Sequence, residues 1–221
     1  MKPDFEALRA DFPILKRKVN GHELIYFDNA ATSQTPRVVV DAVDNAYYDR
    51  RANVHRGVHS LSQEATAAME ATRERVRAFV NADSTDEIIF TRGTTEAINL
   101  VASSYGQLLE AGDEIILTIM EHHSNIVPWQ LLQNRKGIVI KVVPIHADGT
   151  LDLDVYRSLF TERTRLVSVC QVSNVLGTIN PIAEMAAIAH SHNALICVDG
   201  AQAVAHEHVD VKALGADFYA F

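Results

Sequence analysis

From about residue 88 onward, short apolar runs alternate with helix-length stretches in which apolar residues recur every three or four positions. The expected strands are Ile88–Thr91, Ile115–Ile119, Ile138–Pro144, Arg165–Val172, Ala194–Asp199 and Asp217–Phe221. Between them the pattern predicts a helix over Thr95–Tyr105, stopped by Gly106, and another around Pro128–Asn134 that ends before Gly137. A third begins near Asp152 after an Asp148-Gly149 turn, and a fourth starts at Asn180-Pro181. Strands that alternate with helices imply an α/β fold built on a mainly parallel sheet with helices on both faces.

Upstream, Thr35-Pro36 reads as a helix cap followed by proline at the first helical position. Ser60 and Gln63 have capping-box spacing. Ala65, Met69, Thr72, Val76 and Phe79 then mark one face of a long helix, with Glu70, Arg73, Glu74, Arg75 and Arg77 on a solvated opposite face. At 221 residues the chain can bury one sizeable core, and its length does not demand two domains.

Composition excludes several classes. Against 28 acidic side chains stand 20 basic ones, and the densest basic run, Lys16-Arg17-Lys18, reads as a solvated loop, so nucleic acid is not an expected partner. No apolar stretch approaches the roughly 18–20 residues that span a bilayer, and the opening MKPDFEALRADFP lacks the apolar core of a signal peptide. The two cysteines, Cys170 and Cys197, lie inside apolar runs, which suits a reducing, cytoplasmic setting without disulfides. Apolar burial raises a thiol's pKa, so both are expected in the core rather than as nucleophiles.

In a parallel α/β sheet, ligands sit beyond the carboxyl ends of the strands. Four segments follow expected strands directly: Arg92-Gly93-Thr94-Thr95, Glu121-His122-His123-Ser124-Asn125, Ser173–Gly177 and Asp199-Gly200-Ala201-Gln202. Glycine and two threonines at a strand-to-helix junction are either an anion site suited to phosphate or an ordinary threonine cap. Neither a dinucleotide fingerprint nor a P-loop is present. Asp199, ending the apolar run LICVD, is a helix cap, a metal ligand or the partner of a buried cation such as a protonated pyridine nitrogen. His122-His123, and His55 with His59 at i,i+4 spacing, raise the question of a metal. Adjacent histidines diverge from one backbone, and no CxxC or HExxH adds ligands, so no metal site is expected. A histidine in a sheet-end loop can instead stack on an aromatic cofactor and shuttle protons.

Taken together, these segments resemble a family. ADFPIL, YFDNAATSQTP, NVHRGVHSLS, FTRGTTEAINLVA, GDEI, MEHHSNIVPWQ, HADGTL, VSNVLGTINP, VDGAQAV and GADFYAF occur in the order and spacing of the fold-type-I pyridoxal-phosphate enzymes. Within that group the chain is most similar to cysteine desulfurases of the sulfur-mobilisation, selenocysteine-lyase-like branch. The resemblance covers essentially the whole chain.

It implies the N-terminal segment and most of the large cofactor-binding domain of the fold-type-I transferase fold, without the small C-terminal domain. It implies pyridoxal 5'-phosphate as cofactor, with its phosphate held by Thr94 and Thr95. His122 would stack on the ring and take part in proton transfer, Asp199 would pair with the ring nitrogen, and Gln202 would hydrogen-bond the phenolic oxygen. Asn174 and His55, with the Ala30-Ala31 backbone, would lie near the carboxylate of an L-cysteine substrate. A homodimer and a sulfur-acceptor protein of iron–sulfur cluster assembly are the implied partners. The implied reaction takes sulfur from L-cysteine as an enzyme persulfide and leaves L-alanine. Relatives acting on other amino acids, kynureninase-like, epimerase-like or selenocysteine lyase, are the alternatives, as is a non-catalytic module that binds the cofactor or a partner. The family's covalent cofactor lysine, its nucleophilic cysteine and its substrate-carboxylate arginine match no residue here. The 221-residue chain is therefore expected to be inactive alone, with an open sheet edge beside Asp217–Phe221.

Overall fold

The computed structural model describes residues 4–221, which divide into two compact units at Glu74/Arg75. In the first unit, helix α1 (Phe5–Ala10) is capped by Asp4, whose Oδ1 accepts from the Glu6 and Ala7 N–H groups, each at 3.1 Å. Strands β1 (Lys18–Val19) and β2 (His22–Glu23) form a two-residue hairpin. Its turn, Asn20-Gly21, has φ of 53° and 82°, the left-handed pair that matches the twist of such hairpins. Helix α2 spans Arg37–Asp49.

Both predicted caps of this region are displaced by one residue. The carbonyl of Pro36 accepts from Val39 at 3.0 Å, so proline itself holds the cap position and Thr35 lies outside the helix. Helix α3 (Ser60–Val80) includes Ser60 as its first residue. His59 is the acceptor there, through its carbonyl to Ser62 and Gln63 and through Nδ1 to the Ser62 N–H at 3.4 Å. Along α3, Ala65, Met69 and Val76 of the predicted face are half-buried beside the buried Ser62 and Val80, whereas Thr72 is exposed and Phe79 stays 60% exposed. Capping-box geometry does occur, between Ser84 and Glu87 at a 3-10 turn over Thr85–Glu87.

In the second unit, helix α4 (Thr94–Ser104) precedes β3 (Glu114–Thr118), α5 (Val127–Lys136), β4 (Val139–Val143) and α6 (Leu153–Ser158). Then come β5 (Thr164–Cys170), α7 (Ile182–Ser191), β6 (Leu195–Asp199), α8 (Val211–Leu214) and β7 (Phe218–Ala220). Five strands form one parallel sheet in the order β4-β3-β5-β6-β7.

The period-two alternation of the strands sorts the core into two layers. Ile115, Leu117, Leu166 and Cys197 pack with Ile98, Ala102, Trp129 and Leu132 of α4 and α5. Ile116, Val167, Val169, Ile196 and Val198 face the other way, onto Tyr156, Met185, Ala186 and Ala189 of α6 and α7. Strands buried on both faces read as unbroken apolar runs, which is why the sequence displays them so plainly.

One expected strand is absent. Residues 88–91 form no strand and do not join the sheet, and Ile89 is 68% exposed. Strand identity needs a ladder partner as well as an apolar run, and among the described residues β7 pairs with β6 alone. Also among the described residues, no helix is long and apolar enough to cross a membrane.

Candidate functional site

Three neighbouring strands deliver polar residues to one end of the sheet. β3 ends at Thr118 and leads to Glu121 and His122; β5 ends at Cys170 and leads to Asn174; β6 ends on Asp199. Cys170 stands opposite Asp199 in the β5–β6 register, and the Gln171 N–H donates to the Asp199 carbonyl at 2.9 Å. These are the carboxyl ends, where successive strand-to-helix connections leave backbone groups available to a ligand.

Helix α4 supplies a dipole to this region. Its C-terminal end leads through a 3-10 turn, where the Tyr105 hydroxyl donates to the Arg165 carbonyl at 3.2 Å near the start of β5. That places the N-terminus of α4 toward the opposite, carboxyl end, and the helix packs on the His123–Asn125 turn there. Gly93 occupies the cap position at φ 134°, a conformation costly for any other residue, and has no side chain to accept from the first-turn N–H groups. Thr94 and Thr95 are the first two helical residues, with hydroxyls beside those donors. This matches the requirements of a phosphate dianion. Arg92 folds back on Glu96, whose Oε1 accepts from Nη2 at 2.7 Å, and the pairing holds the Glu96 carboxyl down at about 2.

His122 lies at the start of a 3-10 turn over His123–Asn125. Its Nδ1 accepts from the Ser124 N–H at 3.2 Å and lies 2.8 Å from the Ser124 hydroxyl. Accepting at Nδ1 assigns the neutral ring's proton to Nε2. The ring is exposed and oriented by its own turn, which suits it to lie against a planar ligand and move a proton at Nε2.

Asp199 is 5% exposed, and its Oδ1 accepts from the Ala201 N–H at 3.0 Å. Burial pushes its carboxyl up, against the Ala201 N–H and nearby His122, which pull it down. A buried carboxylate in this setting is stabilised by a hydrogen-bonding cation, and a protonated pyridine nitrogen is such a cation. The turn after it approaches β7 closely: a Cβ on Gly200 would fall within 2.2 Å of the Tyr219 ring. Tyr219 in turn donates its hydroxyl to Gln171 Oε1 at 2.6 Å. Gln202 is half-buried in the same turn. The helix-terminal anion site, the buried acid and the orientable imidazole thus form a donor set that fits pyridoxal phosphate.

Asn174 is exposed in the turn after β5. The remaining predicted residues belong to the first unit. His55 adopts φ 65° in a turn and not a helix, so its i,i+4 relation to His59 does not align the two rings. Its N–H donates to Thr66 Oγ1 at 2.9 Å, and its Nε2 lies 3.3 Å from Glu70 Oε1. Ala30 and Ala31 sit in a tight turn closed by Thr32 N–H on the Asp28 carbonyl at 3.1 Å, with the Tyr26 hydroxyl on the Thr32 carbonyl at 2.7 Å. Among the described residues, no group of three or more His, Cys, Asp or Glu side chains is placed to hold a metal ion.

Both cysteines are buried core residues, as the apolar runs predict. Burial pushes the Cys197 thiol up to about 12 and the Cys170 thiol higher still. The lysines of this unit are engaged away from the strand ends. Lys136 donates to the Gly106 and Gln107 carbonyls, Lys141 pairs with Glu114, and Lys212 pairs with Asp83.

Sequence reasoning missed Glu121 and Tyr219. Glu121 is 7% exposed and accepts from Thr118, Asn125 and the Cys170 N–H. Its signal was an acid directly after the apolar run IILTIM; Tyr219 has no comparable local signal.

The family model described as Aminotransferase class-V matches residues 25–221. Over 217 residues the chain is 56% identical to a cysteine desulfurase of Klebsiella pneumoniae and 54% identical to one of Salmonella typhimurium. Each alignment takes 98% of this chain and 53% of the relative, so the chain spans about half the length of the curated relatives it matches. Among solved structures, an apo cysteine desulfurase from Thermococcus onnurineus matches at TM-score 0.90 and 42% identity, over 99% of this chain and 52% of that one. The Escherichia coli cysteine desulfurase CsdA matches at TM-score 0.84 and 36% identity, over 99% and 54%. A C-DES mutant with glycine covalently linked to its PLP cofactor matches at TM-score 0.83 and 27% identity, over 100% and 55%.

Proposed function

The chain belongs to the class-V aminotransferase family, and from that premise we propose that it is the cofactor-binding portion of a pyridoxal-phosphate-dependent cysteine desulfurase. The reaction of the complete protein takes sulfur from L-cysteine as an enzyme-bound persulfide and releases L-alanine, for iron–sulfur cluster assembly in the cytoplasm. The partners are a second copy of the chain and a sulfur-acceptor protein. The observation that carries the reading is Asp199, a buried carboxylate at the carboxyl end of a central parallel strand.

When bound, the cofactor supplies an electron sink for deprotonation at the carbon bearing the substrate amine. Asp199 would hold the ring nitrogen and keep it protonated, and so electron-withdrawing. The α4 N-terminus, with Thr94 and Thr95, neutralises the phosphate through N–H groups and hydroxyls. His122, oriented by Ser124, would rest against the ring, keep water from that face, and hold or release a proton at Nε2. Gln202 would donate to the phenolic oxygen. Asn174 would orient the substrate carboxylate. The lysines of the second unit are engaged away from the strand ends, and the chain is expected to hold the cofactor without a covalent bond.

Titrating pyridoxal 5'-phosphate into the purified chain tests this reading, with quenching of Trp129 and borohydride treatment followed by mass spectrometry as readouts. Saturable quenching that Asp199→Ala weakens at least tenfold, without a pyridoxyl adduct, is the expected result. A wild-type chain that does not bind, or binding indifferent to Asp199→Ala, overturns it.

A further inference from the structure

Of the three buried carboxylates among the described residues, one is conventionally paired: Asp113 faces Arg165 Nε at 3.4 Å and Arg163 Nη2 at 3.5 Å. Glu121 is held instead by neutral donors from three separate places. Thr118 Oγ1, at the end of β3, donates to Oε1 at 2.6 Å; the Cys170 N–H, at the end of β5, donates to the same oxygen at 3.0 Å. Asn125 Nδ2, in the 3-10 turn that His122 begins, donates to Oε2 at 2.6 Å. The amide of Asn125 cannot flip, because its Oδ1 accepts from Trp129 Nε1 at 3.1 Å and from Ser168 Oγ at 2.5 Å. Beyond Cys170, across the β5–β6 register, lies the third buried carboxylate, Asp199.

We propose that Glu121 is a positioning residue of this site, clamping the His122 turn onto the ends of β3 and β5 and, by taking up a proton, leaving the buried negative charge to Asp199. The inference rests on the cofactor reading for its purpose but not for its geometry. Two carboxylates separated by one residue in a low-dielectric interior do not both ionise at low cost. Burial outweighs the three hydrogen bonds and, with Asp199 adding to it, pushes Glu121 up to about 7. Asp199 is also raised by burial, against its Ala201 N–H and nearby His122; standing at the strand end, it is the acid that a cationic ring nitrogen would keep charged, which leaves the proton to Glu121. The other titratable groups around it are Cys170 and Cys197, whose thiols are raised beyond the neutral range, and His122 on the adjoining turn. A hydroxyl can accept as readily as donate, so Thr118 remains a partner to the protonated acid.

The network ends on Trp129, the single tryptophan of the chain, which is fully buried. Its emission therefore reports the charge on Glu121 through Asn125. In the ligand-free chain, emission followed from pH 5 to 9 should show one inflection near pH 7. Glu121→Gln should abolish it, whereas His122→Gln and His123→Gln should retain it. Added pyridoxal 5'-phosphate should bind Glu121→Gln about tenfold more weakly, because the turn that carries His122 loses its clamp, while the variant still unfolds cooperatively. A flat wild-type profile, or an inflection that survives Glu121→Gln, overturns the proposal. If Glu121→Gln does not fold, carboxyl carbon NMR of the wild-type glutamates decides: one must titrate near neutrality, and an ordinary range for all of them refutes the assignment. Failure of the wild-type chain to bind the cofactor would sink the cofactor reading, while the pH profile still judges Glu121.

Discussion

Glu121 makes the fold itself sensitive to pH. In the unfolded chain its carboxyl ionises near the ordinary 4.5, whereas burial holds it at about 7 in the folded protein. The folded state therefore binds the proton more tightly. The stability this contributes is complete below about pH 4.5 and is lost as pH rises through 7. A shift of that size corresponds to on the order of 3 kcal/mol. Asp199, raised in the same sense, adds to the trend. Urea unfolding midpoints should fall between pH 5 and 8, and Glu121→Gln should flatten much of that slope; a midpoint rising across this window would contradict the assignment. At Gly200 the constraint is steric. Its missing Cβ is the space that the Tyr219 ring fills, so Gly200→Ala should destabilise by about 1–3 kcal/mol or displace the ring. Thermal unfolding, with Tyr219→Leu in the same background as the relieving change, measures it.

At the scale of elements, the short helices depend on their caps. The six-residue α6 is too short to be stable by propensity, and Asp152 accepts from the Asp154 and Val155 N–H groups at 3.1 and 2.9 Å. Asp152→Ala should cost about 1 kcal/mol, read as a lower denaturation midpoint, and Asp152→Asn should recover most of it. Helix α4 follows the opposite rule, since its cap is a glycine that offers the first-turn donors no side-chain acceptor. A segment is legible when its signal is local, as at Asp152, Gly137 (φ 72°) and the alternating strands. The predicted caps at Thr35 and Ser60 each missed by one residue, because Pro36 and His59 supply carbonyl acceptors that a side-chain rule does not weigh.

For the whole molecule, surface left uncovered is the governing feature. In the first unit α2 exposes Val38, Val39, Val43, Tyr47 and Tyr48 along its length. In the second, a cavity of about 550 Å³ lies beside β7, lined in part by Val80, Ile88, Phe90, Tyr219 and Phe221. An open strand edge flanked by apolar side chains is a template for pairing with another chain. The 221-residue chain should therefore associate as its concentration rises from micromolar upward. Light scattering and analytical ultracentrifugation test this; a monomer at every concentration would show that these surfaces do not drive association.

The sequence alone determined what depends on neighbours along the chain: which runs are apolar on both faces, where helices alternate with strands, and which polar residues follow the strands. The positions of Gly93–Thr95, His122, Asn174 and Asp199 at strand ends or helix starts were legible for that reason. Tertiary structure decided what depends on residues far apart in the chain. Residues 88–91 carry a strand-like run yet form no ladder, because a ladder requires a second chain segment in register. Glu121 reads as one acid in a polar loop until β3, β5 and the His123–Asn125 turn close around it. Desolvation is a property of everything packed about a group, so the shifted proton affinity of Glu121 arises only in the folded molecule.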